Sequence, residues 1–199
     1  MKNFKKTKIN GKFIANVGIF SALGLVFDLL AKVIGIDPWS AGGSISIAMV
    51  PIFIMAYYYG VLGGLACGFI VGAVQMLWGS PEGFLGAMLD YVLPYTCVGL
   101  AGLFIYRGKK TNSCATKYLF FVLSMIVAGL LRVFFHTLSG VLLYKATWWA
   151  SLVYNAPYVL ISIGLSAILT SILIDRLDFI FGKEEDDEED AKENEVSQN

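Results

Sequence analysis

Residues 118–144 read YLFFVLSMIVAGLLRVFFHTLSGVLLY, with no acidic residue and only Arg132 and His136 as basic ones. A helix needs about 20 predominantly apolar residues to cross the hydrocarbon core of a bilayer, and this stretch is long enough to do so. Five further segments meet the same requirement, over 13–35, 42–59, 61–79, 84–106 and 150–175. The chain is therefore expected to be an all-α polytopic membrane protein with six transmembrane helices. Only the Tyr57-Tyr58-Tyr59-Gly60 corner divides the second span from the third. Pro51, inside the second, should kink it, because proline removes a helical donor and crowds the preceding turn.

Composition excludes the alternatives. Of 199 residues, 57% are hydrophobic and 15% charged, with a mean hydropathy of +0.68. Soluble domains average about 25% charged residues, so water cannot be the main solvent. Cys67, Cys97 and Cys114 match no CxxC spacing and give neither a disulfide framework nor a zinc site. There is no phosphate-binding GxxxxGK[ST] loop for ATP hydrolysis, and nothing marks a nucleic-acid partner. The run from Phe13 to Ile36 is too long for the apolar region of a secretory signal and reads as a retained first span.

Charge sets the orientation and the domain limits. Nine of the 15 acidic residues follow Gly182, so residues 1–182 hold 13 basic against six acidic side chains. Six spans place both termini on one side, and that side collects twelve Lys and Arg against two, Lys32 and Lys145, on the other. By the positive-inside rule both termini are expected in the cytoplasm. Residues 1–12 form a basic cytoplasmic terminus, 13–182 the membrane domain, and 183–199 an acidic tail. That tail has too little apolar surface to fold and is expected to be disordered.

Small residues suggest packing faces. Gly60, Gly64, Gly68 and Gly72 recur every four residues, a stripe that lets another helix approach closely. Gly18 and Ala22, with Ala15 a turn earlier, form a shorter stripe on the first helix. Charged groups within spans are costly and need a reason. Asp28 and Lys32, four apart, can neutralise each other. Arg132, His136, Gly140 and Tyr144 follow at steps of four on one face of the fifth helix. At 1.5 Å per residue His136 lies about 12 Å below the outer end and Asp90 about 9 Å, with Asn155 at similar depth on the sixth helix. Singly, Asp90 and Arg132 read as a buried ion pair and His136 as a core histidine. Together at one depth, near Trp39, Trp148 and Trp149, they read as a pocket open to the outside. A carboxylate and aromatic faces suit a flat organic cation.

The stretches DPWSAGGSISIAMVPIFI at 37–54, EGFLGAMLDY at 82–91, RVFFHTLSGV at 132–141 and SLVYNAPY at 151–158 resemble the thiamine-specific substrate-binding subunits, or S components, of bacterial energy-coupling factor transporters. The resemblance spans all six helices. It implies a monomeric subunit of the cell membrane that captures thiamine from outside. Such a subunit docks onto a transmembrane coupling subunit with two ATPases, and it has no enzyme activity or cofactor of its own. Position by position, it implies that Asp90 matches the family's carboxylate, commonly glutamate, and Tyr91 the tyrosine beside it. Arg132 falls at the basic position before the histidine; His136, Gly140 and Asn155 match directly, and Trp39 matches a first-loop tryptophan that helps cover the ligand. Gly18 and Ala22 fall at the motif for the coupling subunit. Tyr144 stands where the family has a stacking tryptophan, and Ala150 where it has a tyrosine.

On this reading Asp90 offsets the thiazolium charge, and Tyr144, Trp39 and His136 present ring faces. Arg132 and Asn155 either bond the pyrimidine edge or hold Asp90, and Gly140 lets the ligand approach the helix backbone. Three alternatives stay open: an S component for another vitamin or a pyrimidine precursor, a polytopic enzyme using His136 and Asp90 as acid and base, and a proton-coupled carrier. The last is discouraged by the lack of an obvious repeat.

Overall fold

The computed structural model describes residues 9–34, 43–79, 81–109 and 113–197. Trp39 and most of the basic N-terminus lie outside them. Among the described residues the secondary structure is helical throughout, and five helices are long and apolar enough to cross a membrane. Many apolar side chains point outward, Val33, Leu119, Val153 and Ile168 among them. Outward apolar faces combined with backbone groups bonded inside helices are what lipid requires of a multi-pass protein.

Helix α1 (Gly11–Ile34) buries one stripe, Phe13, Val17, Ser21, Gly24, Asp28 and Ala31, flanks it with half-buried residues such as Phe20 and Leu25, and exposes the opposite face. Its start is capped by the Asn10 side chain, which accepts from the Phe13 amide at 2.8 Å.

Helix α2 (Met49–Gln75) is two arms that meet at Gly60, whose φ of 63° and ψ of −156° are not helical. A Cβ placed on Gly24 would touch both Ala48 O (3.3 Å) and Val71 Cγ2 (3.1 Å), and one on Gly64 would touch Ala56 Cβ at 2.9 Å. In a straight helix residues 48 and 71 would lie about 35 Å apart. The chain therefore doubles back at Gly60, whose positive φ an L side chain would resist. The arm over 49–59 is short, about 16 Å, and Met49–Ala56 are all buried. Pro51 does not kink a span as expected. The helix begins at Met49, so the proline sits in the first turn, where a missing N–H costs little.

The next span is built in pieces: α3 (Gly83–Gly86), a π-helical turn (Ala87–Val92), α4 (Leu93–Val98) and α5 (Ala101–Lys109). Pro94 explains the wide turn, because it cannot donate to the carbonyl of Asp90 and its ring crowds that group. The Leu93 amide bonds instead to Met88 O, five residues back. Against this segment lies the glycine stripe of α2. A Cβ on Gly68 would come within 2.2 Å of Tyr95 O, and one on Gly72 within 2.5 Å of Tyr91 O. The stripe thus packs inside the chain and brings two backbones into contact.

Helices α6 (Cys114–Leu142) and α7 (Trp148–Ser197) complete the bundle. Helix α7 continues through the acidic stretch to Ser197. No glycine or proline interrupts 183–197, and its Glu, Lys and Ala hold a helix well.

Candidate functional site

A cavity of about 850 Å³ lies among α1, α2, the π-helical turn, α4, α6 and α7. Gly43, Ser44, Gly79, Pro81 and Ala146 from three interhelical connections also border it, so it sits toward the end of the bundle where those connections lie. Asp90, Tyr91, Arg132, His136, Gly140, Tyr144 and Asn155 all line it. Of the expected binding residues only Trp39 is not among them, and it lies outside the described residues.

The centre is a relay across two helices. Arg132 Nε–H donates to His136 Nε2 at 3.3 Å, and His136 Nδ1 faces Asp90 Oδ1 at 3.4 Å. A guanidinium only donates, so Nε2 must accept, and the proton of a neutral ring then sits on Nδ1 and is donated to the carboxylate. Ser139 Oγ donates to the other carboxylate oxygen at 2.8 Å. The π-helical turn, carrying Asp90, is therefore tied to α6 at two points. The expected alternative of an Asp90–Arg132 ion pair is not formed: the neutral imidazole stands between the two charges. Arg132 packs on Tyr95 instead, its Cζ 4.4 Å from the ring centroid, with Nη2 donating to the Tyr95 hydroxyl at 3.0 Å.

The aromatic wall is mostly tyrosine. Tyr91 donates to the Gly79 carbonyl and so pins the connection after α2. Tyr158 stands edge-on to His136, centroids 6.0 Å apart, and donates to Asn155 Oδ1 at 2.5 Å. Asn155 Nδ2 donates to Ser151 O at 2.9 Å and to His136 O at 3.3 Å. Tyr144 is 60% exposed at the rim. Trp148 and Trp149, counted with the pocket from sequence, do not line it. Trp148 packs on Phe134, and Trp149 is 73% exposed.

Asp28 and Lys32 do pair, at 3.4 Å, but both also line the cavity. Asp28 further accepts from Ser46 Oγ and Trp78 Nε1, each at 3.3 Å. Gly140 lines the cavity and also makes room for α7, since a Cβ there would lie 2.1 Å from Ser151 Oγ.

Sequence reasoning missed Gln75, Trp78, Tyr95, Ser139, Tyr154 and Tyr158, all on the wall. Gln75 carried a usable signal, as the only amide side chain in its span. Ser139, three residues after His136, shares its helix face. Among the described residues no group of three or more His, Cys, Asp or Glu could hold a metal.

Comparison with known proteins bears on the family and the fold. A family model described as "Thiamine transporter protein" matches residues 14–181. The chain is 30% identical over 172 residues to "Thiamine transporter ThiT" of Bacillus subtilis (strain 168), covering 80% of this chain and 88% of that one. Among solved structures, ThiT from Listeria monocytogenes superposes with a TM-score of 0.70 at 24% identity, covering 83% of this chain and 94% of that one. A structure titled "Structure and mechanism of the S component of a bacterial ECF transporter" gives 0.62 at 15% identity, covering 85% and 97%. The last two carry the fold, and the family match spans most of the sequence. A partly exposed carboxylate, an imidazole and a tyrosine wall within one helical bundle thus stand in a chain that belongs to the thiamine transporter protein family.

Proposed function

We propose that this chain is the thiamine-binding membrane subunit of an energy-coupling factor transporter, taking thiamine from outside for import driven by ATP hydrolysis on other subunits. The observation that carries the reading is Asp90, held by His136 and Ser139 within a tyrosine-rich cavity of about 850 Å³. A partly exposed carboxylate there offsets a fixed thiazolium charge, and ring faces add cation–π attraction. Tyr144, Trp39 and His136 supply those faces. Tyr91 fixes the connection above the site, while Arg132 and Asn155 orient His136 and the neighbouring backbone. Gly140 lets α7 close against α6.

The bundle is read as six helices, counting the two arms of α2 separately, with both termini in the cytoplasm and the cavity mouth outside the cell membrane. Gly18 and Ala22 are exposed on α1, and apart from the adjoining residues and backbone of α1 itself no atom lies within 4 Å of where a Gly18 Cβ would be. That open stripe supports docking on a transmembrane coupling subunit, which carries the force from two ATPases. Thiamine leaves chemically unchanged, and no cofactor is needed.

Titration of the purified protein with thiamine, followed by calorimetry and by tryptophan fluorescence, tests the assignment. Saturable one-to-one binding is expected, with a change in Trp78 emission. Heat and fluorescence that stay flat over the titration would refute it.

A further inference from the structure

Among the described residues, Trp78 is the one tryptophan that lines the cavity, and it is half-buried. Its position is fixed at backbone and ring alike. The Trp78 amide donates to Gln75 O at 3.2 Å in the turn after α2, and the carbonyl of the next residue, Gly79, accepts from Tyr91. The indole Nε1–H donates to Asp28 Oδ2 at 3.3 Å, and Lys32 Nζ lies over the ring, 6.0 Å from its centroid. Asp28 and Lys32 line the same cavity.

A carboxylate is a costly residue to place at position 28, which is 3% exposed. A buried ion pair often adds nothing to stability that well-packed apolar side chains would not. An apolar residue there could fill the space but could not accept an indole N–H. Asp28 Oδ1 accepts from Ser46 Oγ, while Oδ2 takes the indole and faces Lys32 at 3.4 Å. The carboxylate therefore joins α1 to the segments on either side of α2 and sets the rotation of the indole. A ring ordered in advance loses less freedom when a ligand binds. This corner also differs from the Asp90 centre in charge. Lys32 answers Asp28 in direct contact, whereas the partners of Asp90 are a neutral imidazole and a hydroxyl. A cation is drawn to Asp90, and at Trp78 it would meet an ammonium already over the ring. The indole is left to make contact with a flat, uncharged ring.

We propose that Trp78 is a ligand-binding residue that holds a flat ring of the ligand by contact rather than by charge, and that Asp28 is the positioning residue that sets the indole for it. This rests on the thiamine reading and deepens it, because that ligand joins an uncharged aminopyrimidine to its cationic ring.

The test uses the full chain in detergent with two ligands, thiamine and an uncharged analogue carrying thiophene in place of thiazolium. Calorimetry gives affinity, and tryptophan emission reports on the ring itself. Trp78→Leu should weaken both ligands by about tenfold. Asp28→Ala leaves the indole without its acceptor; it should weaken both by at least about threefold, yet add less than about twofold on the Trp78→Leu background. Asp28→Asn combined with Lys32→Gln removes both charges but keeps an acceptor for the indole, so both affinities should stay within about twofold of wild type. Trp78→Phe should shrink the emission change on adding thiamine while calorimetry still records binding. Losses confined to thiamine, full additivity of Asp28→Ala with Trp78→Leu, or wild-type affinities in Trp78→Leu would each overturn the proposal alone. So would a charge-free pair more than about fivefold weaker than wild type, or an undiminished emission change in Trp78→Phe. If Asp28→Ala does not fold, the charge-free pair and the two Trp78 variants decide by themselves. A wild type that binds no thiamine would overturn the ligand reading and the proposal with it.

Discussion

Replacing Asp90 by Asn removes one charge from the cavity and little else. The amide matches the carboxylate in size. Its oxygen can still accept from His136 Nδ1, now 3.4 Å from Oδ1, and the Ser139 hydroxyl, now donating at 2.8 Å, can rotate to accept from the new NH₂. The fold should therefore survive, and the change should be felt by a cationic ligand. With 22% of its side chain exposed, Asp90 is neither in bulk water nor in a dry interior. A cation about 5 Å away at an effective dielectric of 20 to 40 gains about 2–3 kcal/mol from it. The variant should then bind thiamine about 30- to 150-fold more weakly. Calorimetry in detergent measures this, and a neutral analogue with thiophene in place of thiazolium supplies the control. That analogue should lose less than about threefold, since the Coulomb contribution is absent. A loss equal for both ligands would refute the electrostatic argument and make Asp90 a structural residue. A loss under about twofold for thiamine would do so as well.

Three further outcomes follow from the geometry. Gly68→Ala pushes a Cβ to within 2.2 Å of the Tyr95 carbonyl, so thermal unfolding in detergent should show a loss of about 1–3 kcal/mol; an unchanged Tm would remove the close contact of α2 with α4. Tyr144→Trp places the better cation–π face at the rim and should tighten thiamine binding about two- to fivefold, or 0.5–1 kcal/mol. Weaker binding in that titration would show that the rim ring does not stack. Ala22→Trp blocks the open stripe on α1 and should abolish uptake by vesicles containing the coupling module and ATPases while leaving thiamine affinity intact; normal uptake would exclude the stripe from docking.

The membrane class and the convergence of Asp90, His136, Arg132 and Asn155 were readable because they follow from local hydropathy, helix rise and helix period. The resemblance to S components then agreed with the family match. What stayed hidden depends on contacts between helices. Nothing in the spacing of Asp90 and Arg132 reveals that His136 stands between them. Gln75 and Tyr95 come from helices whose mutual rotation no single periodicity encodes. Trp148 and Trp149 sit at the right height but face the wrong way, because height follows from residue count and azimuth does not. The effect of Pro51 depends on where the helix starts, and hydropathy does not show that residues 43–47 stay outside it. Asp28 looked settled by Lys32 alone, since its bonds to Ser46 and Trp78 are made across long chain separations.

The π-helical turn at Ala87–Val92 has a consequence for descent and engineering. Such a turn amounts to an α-helix with a single inserted residue, and each residue in an α-helix advances about 100°. Excising one residue between Ala87 and Val92 would restore ordinary winding and swing everything upstream by about that angle relative to Tyr95. Gly86 would leave Leu143, and either Asp90 or the Gly83 corner would lose its bearing. Length within this short window is therefore under tighter constraint than residue identity, and relatives of different sequence should keep the same spacing from the acid to the proline four places on.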